Sequence, residues 1–155
     1  MLALWLMLTH RRKSVSLSLI STDLPVWYVV QSAATLEQKD RESFHLILTE
    51  PQPATINSSP SLIWLEISPY RVMMTKQAGN QVCYRHFWER GVYGTSRYWL
   101  EGGYQASDQT LQLRNFTRQL SLEGDPLPQQ LQVEYELWSA KVQLGRYVLR
   151  LEIHL

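Results

Sequence analysis

Residues 84–104, YRHFWERGVYGTSRYWLEGGY, concentrate more groups able to bind than any other stretch: seven aromatics, three arginines and four of the chain's seven glycines. Aromatic rings offer flat apolar area. A guanidinium can stack on those rings and can also grip carboxylates through paired N–H donors. Arg85, Phe87, Arg90, Tyr93, Arg97 and Trp99 form the candidate binding set. Trp, Tyr and Arg are the usual anchors of protein interfaces. The same chemistry suits a flat anionic small molecule or single-stranded nucleic acid. Nucleic acid is disfavoured, because the net charge is +1 and there is no lysine-rich groove.

The phase of this run matters. In residues 81–90, Val82, Tyr84, His86 and Trp88 share one strand face, and Cys83, Arg85, Phe87 and Glu89 share the other. In residues 97–104, Tyr98 and Leu100 oppose Arg97, Trp99 and Glu101. One core cannot readily bury both sets. The structural account is that aromatics favour strands and that Arg and Glu pair across a sheet to cover them. The functional account leaves Arg85, Phe87, Arg97 and Trp99 facing outward, into a cavity or onto a partner. Gly91, Gly94, Gly102 and Gly103 fall where strands turn or bend. They match no phosphate-loop pattern and read as kinks that let a sheet curl.

No catalytic residue is assigned. Cys83 and His86 are three apart, so on a strand they face opposite ways. His45 and His154 have no visible nucleophile or carboxylate partner, and no nucleophile elbow is present. Glu134 and Glu136 share a face and read as the solvated side of a hairpin. His10, His45, His86, His154 and Cys83 lack metal-ligand spacing, so neither metal nor cofactor is expected.

A chain of 155 residues with 45% hydrophobic content fits one globular domain. The single cysteine excludes an internal disulfide framework. At the N-terminus, eight apolar residues, MLALWLML, precede THRRK. They are too few to span a bilayer, and the order is the reverse of a secretory signal. Residues 1–13 therefore read as a segment docked on the domain. The alternative is a peripheral membrane or partner contact through Trp5, Arg11, Arg12 and Lys13. The expected location is the cytoplasm.

The positioning elements are strands. Val15, Leu17 and Leu19 alternate with serines. Residues 25–32 and 43–50 read as strands, and 35–42 as a loop or a single helical turn. Residues 51–61 hold three prolines and form the clearest loop. Residues 62–68 are apolar on both faces, as in a central strand. Hairpins follow around residues 78–80 and 106–108. A bulge near Asn115 would explain a phase shift between Leu113 and Phe116. After a break at 124–128, residues 131–137 and 147–155 alternate cleanly and form a long hairpin. About eight to ten short-connected strands make an all-β meander, which closes into a small barrel or, alternatively, folds into a sandwich. The domain spans 14–155, after the 1–13 segment.

The expected function is a non-enzymatic binding or accessory module that docks on a protein partner through the aromatic-Arg surface, with the Pro-rich loop at its rim. The alternative is a lipocalin-like barrel that carries a small anionic or aromatic ligand, an analogy of fold alone.

Overall fold

The computed structural model describes residues 10–51, 60–100 and 109–154, with side chains described from Arg12 onward. These residues form ten strands and no helix: β1 (His10–Ser21), β2 (Trp27–Gln38), β3 (Phe44–Glu50), β4 (Ser61–Ile67), β5 (Arg71–Ala78), β6 (Gln81–Glu89), β7 (Tyr93–Trp99), β8 (Thr110–Glu123), β9 (Gln130–Ser139) and β10 (Val142–His154). Each strand pairs antiparallel with its chain neighbours, and β1 pairs with β10 to close a barrel. The sandwich alternative is thereby excluded. Closure leaves no edge strand, since each strand has a neighbour on both sides.

Period-two alternation sets inside from outside. Leu17, Leu36, Leu46, Leu65, Leu131, Leu149 and Leu151 point inward and are almost fully buried. Burying such a side chain contributes about 1.5–3 kcal/mol each. The first strand alternates as the sequence implies, with Val15 and Leu17 buried. The terminal hairpin also alternates, pairing Leu131 with Leu151 and Val133 with Leu149.

The connections from β1 to β2, β3 to β4, β5 to β6, β7 to β8 and β9 to β10 leave from one end of the barrel, here the upper end. The lower end is filled by Phe44, Ile67, Val72, Trp88 and Ile153. The expected Pro-rich loop at 51–61 and the expected turn at 106–108 fall largely on residues 52–59 and 101–108, which lie outside the described residues.

Four local expectations are corrected. Residues 35–38 are not loop or helix; they continue β2, with Leu36 buried against its partner Leu46. Residues 62–68 are not covered on both faces, because Trp64 points outward at 44% exposure. The bulge in β8 falls between Thr117 and Gln119 rather than at Asn115, since Asn115 and Thr117 themselves face inward. Glu136 points outward but is only 4% exposed, beneath Arg118 and Arg146. His10 to Lys13 form the start of β1, with Arg12 exposed and Lys13 half-buried.

The barrel wall has one irregular seam. The β6–β7 ladder runs only from Tyr84 opposite Tyr98 to His86 opposite Ser96. Beyond it, Asn115 of β8 reaches across Gly94 and its Nδ2 donates to the Phe87 carbonyl at 3.2 Å. A Cβ on Gly94 would lie 2.1 Å from that carbonyl oxygen and 2.9 Å from Asn115 Oδ1. Gly94 is thus a close-approach glycine, whereas Gly91, at φ 76°, serves the β6–β7 turn. Gly94→Ala is expected to lower unfolding free energy by roughly 2 kcal/mol or more, measured as a drop in urea midpoint at unchanged m-value. A midpoint equal to the wild type would show that the seam relaxes freely.

Candidate functional site

The alternation that buries the core also divides the aromatic-Arg run into two sites back to back. Arg85, Phe87, Tyr93, Arg97 and Trp99 lie on the outer surface of β6 and β7. Arg85 and Arg97 both lie over the Trp99 ring, at 6.0 and 5.8 Å from its centroid. Arg85 Nε donates to Thr75 Oγ1 at 3.1 Å, and Arg97 Nη2 donates to Gln112 Oε1 at 2.7 Å. Phe87 sits instead beneath Arg71, and Tyr93 packs on Phe116 beneath Arg114. Arg90 is exposed at the lower turn. So the fold brings together Arg85, Trp99 and Arg97, and disperses Phe87, Tyr93 and Arg90 along the wall. Trp5 and the side chain of Arg11 lie outside the described residues.

Inside the same strands is a pocket of about 220 Å³ at the upper end. Its wall comes from β1, β2, β5, β6, β7, β9 and β10, with Leu19, Met74 and Leu137 as the apolar members. Tyr28, Tyr84, Tyr98, Tyr135 and Tyr147 converge on it with His86 and Lys76. Three outer grooves of about 370, 310 and 230 Å³ are larger, but each is formed from one side of the wall, two on and beside β3 to β6 and one on β8 and β9 beside Arg90. The interior pocket is a half-open cleft whose lining comes from strands around the barrel, with aromatic rings and a few polar groups, as in small-ligand sites.

The polar groups are arranged in layers. Nearest the rim, Glu50 accepts a hydrogen bond from the Tyr28 hydroxyl and an ion pair from Lys76 Nζ at 3.0 Å. Deeper, His86 Nδ1 lies 2.7 Å from Ser96 Oγ, which accepts from Asn115 Nδ2 at 2.9 Å. His86 stacks on Trp88 at 4.9 Å and meets the Tyr98 ring edge-on at 5.5 Å. Tyr135 and Tyr147 stack at 5.4 Å, and Gly145 leaves room for the Tyr147 ring. In the layer below the pocket, Trp88 Nε1, Asn115 Oδ1 and Thr117 Oγ1 are buried without a hydrogen-bond partner. Each such group costs about 1–3 kcal/mol.

Burial governs the ionisation here. It pushes the Tyr98 hydroxyl up to about 12, with the neighbouring Tyr147 adding to the effect. Burial also raises Tyr84, helped by the Glu50 charge, and holds Tyr135 well above the ordinary phenol range. These phenols are protonated at neutral pH. Among the described residues, no group of three or more His, Cys, Asp or Glu is placed to hold a metal ion.

The residues expected to bind, Arg85, Phe87, Arg97 and Trp99, are on the face opposite the one that Tyr84, His86 and Trp88 share. Tyr28, Tyr135 and Tyr147 come from strands far along the chain, and Lys76, opposite Tyr84 on neighbouring β5, carries a charge that does not mark an inward position. The available signal was the number of tyrosines at inward positions near one barrel end.

Burial holds His86 down at about 4, against an ordinary value of 6.5. Between those values the unfolded chain binds more protons than the folded one, so stability rises with pH. His86 therefore favours folding fully above its unfolded pKa and loses that contribution as pH falls from about 6.5 to 4, by up to ~3 kcal/mol. Its imidazole resonances should stay those of the neutral ring down to about pH 4, while the urea midpoint falls across this window. Titration of His86 near 6.5 would contradict the buried placement.

No protein-family model matches this chain, and no curated protein sequence does. Among solved structures, the fold is similar to the crystal structure of the ywiB protein from Bacillus subtilis. The TM-score is 0.61, 12% of residues are identical, and the match covers 95% of this chain and 93% of that one. At that identity the likeness is one of fold.

Proposed function

We propose that this barrel binds and carries a small ring-bearing molecule in its upper-end pocket. One observation carries the reading: five tyrosines, His86 and Lys76, from six strands, line one pocket inside the barrel. A purely structural interior would be packed solid with apolar side chains, as the lower end is with Phe44, Ile67, Val72, Trp88 and Ile153. Instead, the hydroxyls of Tyr84, Tyr98, Tyr135 and Tyr147 have no hydrogen-bond acceptor among the described residues. Rings for stacking and hydroxyls for orientation are the usual furnishing of a small-molecule site.

A second reading is favoured by the outer face. Among the described residues, Arg85, Arg97 and Arg114 have no carboxylate partner and lie over exposed or half-exposed rings. This cationic, aromatic surface suits an acidic patch on a protein partner. The same outward placement takes Arg85 and Arg97 away from the pocket, where an anionic ligand would have needed them.

One comparison tests both readings. The wild type, Leu19→Trp and the triple variant Arg85→Ala/Arg97→Ala/Trp99→Ala are incubated with cell extract, and native mass spectra are recorded. The pocket reading expects a small non-covalent adduct on the wild type and the triple variant that is absent from Leu19→Trp, whose indole fills the cavity. The outer-face reading expects a protein complex lost only in the triple variant, with its melting temperature nearly unchanged. A small adduct retained by Leu19→Trp would refute the pocket reading.

A further inference from the structure

The class of molecule that fits the pocket follows from its hydrogen-bond directions. The Phe87 carbonyl can only accept, so the atom of Asn115 facing it at 3.2 Å is the amide nitrogen. That nitrogen also donates to Ser96 Oγ at 2.9 Å. Ser96 is fully buried, and His86 Nδ1, at 2.7 Å, is the remaining partner for its hydroxyl proton. Nδ1 is thus an acceptor, and the proton of the neutral imidazole sits on Nε2. The relay Asn115 to Ser96 to His86 fixes a ring that lines the pocket and leaves it an N–H donor.

The charges around the pocket nearly cancel. Glu50 has both oxygens engaged, one by the Tyr28 hydroxyl and the other by Lys76. Arg85 and Arg97 are on the far side of the wall. Asp23 adds negative charge near Tyr147. Among the described residues that line the pocket, the one Lys or Arg is Lys76, already paired with Glu50, so no uncompensated cation there repays the desolvation of an anion. What remains inside is a strict donor at His86, the spare protons of Lys76, and four tyrosine hydroxyls able to donate.

We infer that the pocket selects an uncharged planar molecule carrying a carbonyl-type acceptor, which the His86 Nε2–H and a tyrosine hydroxyl grip while the Tyr135 and Tyr147 rings hold its face. This rests on the reading of the pocket as the binding site. Both are tested on the 15N-labelled full-length chain at pH 7, using benzamide, benzoate and benzylamine as probes of one ring size. Long-range 1H–15N spectra should show His86 protonated on Nε2. Benzamide should shift the His86 Nε2 and Tyr98 ring signals, with a Kd at least about ten-fold below those of benzoate and benzylamine, equivalent to one good hydrogen bond. An Nδ1-protonated His86, or benzoate or benzylamine binding as tightly as benzamide with the same shifts, overturns the ligand class and leaves the pocket as a site. Silence at His86 and Tyr98 with all three probes at millimolar concentration overturns the pocket reading itself.

Discussion

The side-chain amide of Asn115 ties three strands together at the point where the wall of the barrel would otherwise open. The β6–β7 ladder stops after His86, and two hydrogen bonds from Asn115 Nδ2, to the Phe87 carbonyl and to Ser96 Oγ, span the gap. Gly94 is bare so that this side chain can pass. The consequences reach inward. Ser96 holds His86, His86 stacks on Trp88, and Trp88 packs on Tyr135 at 5.0 Å. The floor of the pocket is therefore set by a polar fastening rather than by aliphatic packing. A buried network of this kind fixes one arrangement when its members are satisfied. Here Asn115 Oδ1, Trp88 Nε1 and Thr117 Oγ1 are left unmet beside it.

Much of the fold was legible because a barrel wall with a dry inside writes its register into the sequence. Val15, Leu17 and Leu19, and the run from Leu131 to Leu137, alternate so cleanly that only one face can be buried. The errors arose where polarity and direction part company. Leu36 is the only large apolar residue in a charged stretch, and its strand state comes from pairing with Leu46, which is far along the chain. Asn115 and Thr117 are polar yet face inward, so the apolar pattern put the bulge too early. Glu136 sits on the wet face but is covered by Arg118, Arg146 and the indole of Trp138, which donates to its Oε1 at 3.0 Å. Burial by itself would raise this carboxyl; hydrogen bonds from Arg118 and Trp138, with the two arginine charges, lower it overall.

The site was only half legible. Phase analysis separated Tyr84, His86 and Trp88 from Arg85 and Phe87, and that separation stands. Arginine density then drew attention to the outer face. The inner face depends on which residues β1, β2, β5, β9 and β10 bring opposite Tyr84 and Tyr98. Those meetings are set by barrel closure and strand stagger, which a linear pattern does not encode. The same strands thus offer two surfaces, a polar-tipped aromatic interior and a cation-covered exterior, separated by the thickness of one sheet.

Adjacent residues Tyr98 and Trp99 report these two surfaces independently, since Tyr98 lines the pocket and Trp99 lies under Arg85 and Arg97 outside. The most direct test of the account is to follow both side chains by NMR while the protein is titrated with a protein-free small-molecule extract. The account predicts that the Tyr98 ring signals move while the Trp99 indole N–H stays in place. Movement of the Trp99 indole with an unchanged Tyr98 ring would contradict it.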